Sequence, residues 1–130
     1  MFQKDRHFIP AYMFAGLIFI GASISTRGLS KIQRMHELLD IVFSEYSLHF
    51  FGFGIFAILL AWGYYKNKSS LLLIRAGLVA CLFGLIIEVY QNFLPHRDFS
   101  LVDIGIDSAG IILALGLFWF AVVKKHLFDL

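Results

Sequence analysis

Four apolar runs separated by short polar stretches lay out this chain: residues 8–25, 48–65, 71–92 and 101–123. Each approaches the length of about 20 apolar residues that a helix needs to cross bilayer hydrocarbon. Pro10 falls in the first turn of the first run, where a missing backbone N–H costs little. The small residues Ala22-Ser23-Ile24-Ser25 would also suit a signal-peptide cleavage site, but the run is read here as the first membrane helix. The second run is rich in phenylalanine and ends in Trp62, Tyr64 and Tyr65, an aromatic belt of the kind found at membrane–water boundaries. Arg75, in the first turn of the third run, is placed to snorkel, and Pro95 halts helix growth beyond its end.

Between the first two runs the pattern changes. Ile32, Met35, Leu38, Leu39, Val42 and Phe43 recur at helical spacing, with Lys31, Arg34, Glu37 and Asp40 on other faces. Ser30 and Gln33 have the spacing of a capping box. A short amphipathic helix at the membrane interface fits this stretch, and a helix packed on the bundle fits it equally. The expected fold is therefore all-α: one domain over residues 1–130, an integral membrane four-helix bundle with a short interfacial helix between helices 1 and 2.

Composition supports the membrane class. Hydrophobic residues make up 59% and charged residues 15% of the 130, too apolar for a soluble chain of this size to bury. The mean hydropathy is +0.79. Cys81, the single cysteine, cannot close an intrachain disulfide and reads as a small buried hydrophobe. The basic residues are scattered in pairs, which excludes a nucleic-acid-binding tract. Their distribution predicts orientation: Lys4, Arg6, Lys66, Lys68, Arg75, Lys124 and Lys125 flank one side, and Arg27, Lys31, Arg34 and Arg97 the other. That bias places both termini in the cytoplasm.

The chemistry concentrates in residues 88–110, a polar knot between the last two runs. Glu88 and Gln91 sit on the final turn of the third run, and Asp103 and Asp107 lie in the first two turns of the fourth. Ser100 is a natural N-cap, and Asp103 at the third position complements the helix dipole. Asp103, Asp107 and Gly110 share a helical face. Charged groups this far into apolar segments are expensive, so they are expected to meet partners and mark a site. Two ionised carboxylates roughly 6 Å apart repel by about 3 kcal/mol at an effective dielectric of about 20. Arg97, His49 or a bound metal could supply the compensating charge. Because successive runs alternate in direction, His49 at the start of the second run should reach the same end of the bundle.

The string Glu88, Gln91, Phe93, Pro95, Arg97, Ser100, Asp103, followed by Gly110, resembles the VanZ-like family of small bacterial membrane proteins. That family's Asp-Lys-x-x-His before an aromatic-rich helix is echoed as Glu45-Tyr46-Ser47-Leu48-His49. Two departures stand out: Glu45-Tyr46 replaces the Asp-Lys pair, and Asp107 stands where the family has asparagine. The resemblance spans residues 8–123. It implies a multi-pass protein of the bacterial inner membrane, akin to proteins that confer teicoplanin resistance.

Three classes of function follow. The first is a cell-envelope protein binding a membrane lipid or lipid-linked envelope precursor through an outward-facing cluster of His49, Glu88, Gln91, Arg97, Ser100, Asp103 and Asp107. The second is a small structural subunit with a membrane-protein partner, its polar knot holding helix ends together. The third is an intramembrane hydrolase or transferase with Glu88 or Asp103 as general base and His49 as its partner, with or without a divalent metal. No nucleophile motif or metal-ligand spacing is visible in the sequence, which ranks binding first and enzyme last; neither a metal nor a cofactor is expected.

Overall fold

The computed structural model of the protein describes residues 5–24, 44–95 and 97–124. These are helical almost throughout, and no strand occurs among them. A 3₁₀ turn at Arg6–Phe8 leads into α1, Ile9–Ser23. It is followed by α2, Glu45–Lys66, by α3, Leu72–Gln91, and by α4, Leu101–Phe118, which runs on as a π turn over Trp119–Val123. The expected interfacial helix, with its Ser30 capping box, and His96 lie outside the described residues.

Three of the helices, α2, α3 and α4 with its extension, are long and apolar enough to cross a membrane. The first is not: α1 has 15 residues, about 22 Å of helix, short of the roughly 30 Å of bilayer hydrocarbon. The four apolar runs thus give three long helices and one shorter one. The start of α2 differs from the expected run. It begins at Glu45 rather than near residue 48, because Ser44 caps it: the Ser44 hydroxyl accepts from Ser47 N–H. The Ser44 cap brings Glu45 and His49 onto one helix, a turn apart.

The core is a seam of small residues. Ala57, Ala61, Ala76, Ala80 and Ala114 are buried, with Phe53, Phe56, Leu60, Ile87, Ile111 and Phe118 filling between them. On α4 the buried positions are Asp103, Asp107, Gly110, Ile111, Ala114 and Phe118, one stripe at helical spacing. The most extensive contact is between α2 and α4, which run parallel. Its closest point is Gly110: a Cβ built there would lie 2.2 Å from the Phe50 carbonyl oxygen, so only glycine lets the two backbones touch. Gly54 of α2 reciprocates, its built Cβ 3.3 Å from Gly110 O of α4. This is the small-residue helix contact favoured where apolar solvent gives no hydrophobic drive to association.

α1 runs antiparallel to α2. At one end Phe8 stands edge-on to Tyr64, ring centroids 5.0 Å apart, and fills the space above Gly63. At the other, the Ser23 hydroxyl lies 3.0 Å from the Tyr90 hydroxyl of α3, and Phe19 stacks obliquely on the Tyr90 ring. The aromatic residues expected as a belt divide: Trp62 is exposed, with Lys66 Nζ 4.4 Å above its ring, while Tyr64 and Tyr65 turn partly inward. Arg75 reaches back to the Ser69 hydroxyl at 2.9 Å. Cys81 corrects another expectation, since it is exposed on the outer face of α3.

Gly110→Ala is expected to force α2 and α4 apart and to cost about 1–3 kcal/mol, the range for overpacking. Gly105→Ala meets nothing within 4 Å and should instead be neutral or stabilising, by up to about 1 kcal/mol of helix propensity. Thermal unfolding of both variants in detergent checks this; equal melting temperatures would contradict the close crossing.

Candidate functional site

Among the described residues, the polar groups of the knot gather at one end of the bundle, where α2 starts, α3 ends and α4 starts. Glu88 is fully buried on the last turn of α3. Its Oε2 accepts from the backbone N–H of Ser100 at 3.0 Å. Ser100 in turn caps α4, its hydroxyl accepting from Asp103 N–H at 3.1 Å, the N-cap that the sequence predicts. The buried carboxylate of one helix and the cap of the next therefore form a single unit. Asn92 adds a strut across the same turn, its side-chain oxygen accepting from Phe99 N–H.

Gln91, buried beside Glu88, relays this unit to Arg97. With its amide oriented so that nitrogen meets acceptor and oxygen meets donor, it donates to Glu88 Oε1 at 3.1 Å and accepts from the Arg97 guanidinium at 3.3 Å. Arg97 donates to Glu45 Oε1, forming an ion pair between the loop and the first turn of α2. The connection between Glu88 and Arg97 thus passes through an amide. Arg97 does not pair with Glu88, Asp103 or Asp107; the acid it holds is Glu45.

A second arm of the cluster joins α2 to α4. His49 Nδ1 and Asp107 Oδ1 are 2.9 Å apart, and both residues are buried. Gly84 of α3 leaves the room that Asp107 needs, because a Cβ there would lie 3.1 Å from Asp107 Oδ2. Asp103, one turn earlier, is 7% exposed, and its Oδ1 has no hydrogen-bond partner among the described residues. Arg97 Nε is likewise buried and without a partner. His49, Glu88, Gln91, Arg97, Ser100, Asp103 and Asp107 are all brought to this end of the molecule. Asp98 is exposed.

Two cavities meet at the cluster. The larger, about 570 Å³, runs between α1, α2 and α3 along Phe14, Ile18, Gly21, Gly52, Phe53 and Ile87. Its wall is mostly apolar, and its polar end is formed by Glu45, His49, Gln91 and Arg97. The smaller, about 220 Å³, is polar and is bounded by Glu45, Gln91, Arg97, Ser100 and Asp103 among others. Glu45, Gln91 and Arg97 belong to both. Glu45 and the cavity between α1 and α2 are the parts that sequence reasoning missed. An acid four residues before His49 on one helix face was the available signal for the first. For the second there was none, because the space is made by glycines whose neighbours lie far apart in the chain.

Glu88→Ala removes the acceptor of both Ser100 N–H and the Gln91 amide. It is expected to lose about 1–3 kcal/mol for each stranded donor. Glu88→Gln keeps an oxygen for Ser100 N–H and should lose clearly less. Denaturant unfolding in detergent measures both; two variants as stable as the parent would show that the carboxylate does not tie α3 to α4.

Comparison with family models, with curated proteins and with solved structures finds no match to this chain, and what the cluster does is to be judged from its own chemistry.

Proposed function

We propose that the protein is a multi-pass membrane protein that holds a phosphate-bearing lipid, with the chain in the apolar cavity and the head group at Arg97. The observation that carries this reading is the joining of an apolar cavity and a polar one at a half-buried guanidinium whose buried Nε is a spare donor among the described residues. A ligand matching both spaces is amphipathic, and the head group that best suits a planar guanidinium is a phosphate.

The membrane placement is supported by an inside-out distribution of polarity. Glu88 is among the largest fully buried side chains, while Leu78, Leu82, Ile86, Ile112, Leu113 and Leu117 are exposed. Water would reverse that arrangement; hydrocarbon favours it. Lysine and arginine counts favour cytoplasmic termini and an outward-facing cluster. The motif from Glu88 to Gly110, on which the resemblance to VanZ-like proteins rests, supports the bacterial inner membrane and a role in the cell envelope, where glycopeptide susceptibility is a phenotype to measure. Phospholipids and polyprenyl phosphates share the recognised chemistry, an apolar chain ending in phosphate.

Gly52 lines the large cavity, and a Cβ there would meet nothing within 4 Å. Gly52→Leu should therefore fill the cavity without disturbing the helices. Mass spectrometry of lipid carried through purification, with added phospholipid and polyprenyl phosphate compared in detergent, is expected to show about a tenfold loss of retained lipid, near 1.4 kcal/mol. Arg97→Lys should weaken phosphate lipids but not uncharged ones. Unchanged retention in Gly52→Leu would overturn the reading.

Orientation has its own test. In a Cys81→Ala background, Asp98→Cys is expected to react with an impermeant thiol reagent on intact cells, and Asn67→Cys is not. The opposite labelling would invert the topology.

A further inference from the structure

The cluster carries more acid than its cations can balance. Glu45, Glu88, Asp103 and Asp107 converge on it, and Arg97 is the one arginine or lysine hydrogen-bonded within it among the described residues. Glu45 is exposed, but Glu88, Asp103 and Asp107 are buried, and buried like charges gathered at one end demand a further positive charge or a proton. Three of the side chains are placed to receive the former. Glu45, His49 and Asp103 each offer a ligand atom, and these atoms lie within 4.8 Å of one another. Ligand atoms around a tetrahedral ion with bonds near 2 Å sit roughly 3.3 Å apart, so modest side-chain rotation closes the set.

The atoms left over by the hydrogen-bond network are the ones such an ion needs. Asp103 is more than nine-tenths buried, lines the polar cavity beside Glu45, and keeps an oxygen, Oδ1, without a partner. Arg97 engages Oε1 of Glu45, and Oε2 has no hydrogen bond among the described residues. His49 Nδ1 faces the Asp107 carboxylate; in the neutral tautomer that donates from Nδ1, Nε2 carries the lone pair and is the imidazole atom free for ligation. A carboxylate holding the far nitrogen of a histidine is the arrangement that orients metal-binding imidazoles and raises their basicity. From these positions we propose that Glu45, His49 and Asp103 bind a divalent transition-metal ion, zinc or manganese, with Asp107 as the positioning residue behind His49.

The donor set decides between classes of cation. Hard ions such as magnesium and calcium take oxygen ligands and gain little from an imidazole, whereas zinc and manganese accept a mixed nitrogen and oxygen set. Three protein ligands leave coordination positions open toward the polar cavity. The site stands independently of the lipid reading, since no ligand atom in it comes from a lipid.

The test is metal content and melting temperature of the full chain, purified in detergent, stripped with chelator and titrated separately with zinc, manganese, magnesium and calcium. Wild type is expected to take up one zinc or manganese per chain saturably and to melt at a higher temperature when loaded. Asp103→Asn is nearly isosteric and leaves the Ser100 cap on its backbone N–H intact. It should abolish saturable binding, and its melting temperature should no longer respond to the metal. Asp107→Asn should weaken affinity by roughly 10–100-fold without abolishing it. Wild type that binds no zinc or manganese, equal responses to all four ions, or full binding by Asp103→Asn would each overturn the site. The wild-type titration decides even if a variant does not fold.

Discussion

Burying a carboxylate away from water is tolerable only if the protein supplies the hydrogen bonds that water gave. Glu88 meets that condition with the Ser100 N–H and the Gln91 amide, and in doing so fixes where α3 stops and α4 starts. Everything else at this end follows from that tie. It sets the height of α4, so that Asp107 faces His49 and Gly110 faces the Phe50 carbonyl. It also holds Gln91 where it can reach Arg97, and through Arg97 the first turn of α2.

The hydrophobic pattern made the helices legible because each of the four long apolar runs became one. What it could not show was depth and partnership. The first run is uncharged over residues 8–25, yet the helix α1 covers 15 of these residues and ends at Ser23. Cys81 looked buried because its neighbours are apolar; in a protein whose outer face is itself apolar, that inference loses its force. The knot was visible as polar residues in the wrong place. Its wiring was not, since pairing depends on rotations of α2 against α4 that no local spacing records.

Two acids that look superfluous along the sequence gain a physical account. Asp107 is the partner of His49. Glu45 is the partner of Arg97. Each charge that seems excessive in the sequence belongs, in the folded chain, to a polar contact. Reading such positions requires the partner as well as the residue.

Cys81 has a practical meaning beyond its failed burial. It is the one thiol in the chain, and it is exposed near the middle of α3. The native protein therefore carries a natural depth gauge. A nitroxide attached there would sense oxygen, concentrated in hydrocarbon, against a water-soluble paramagnetic ion, without any residue being introduced. How far the middle of α3 lies from the aqueous phase could then be read on the unaltered sequence.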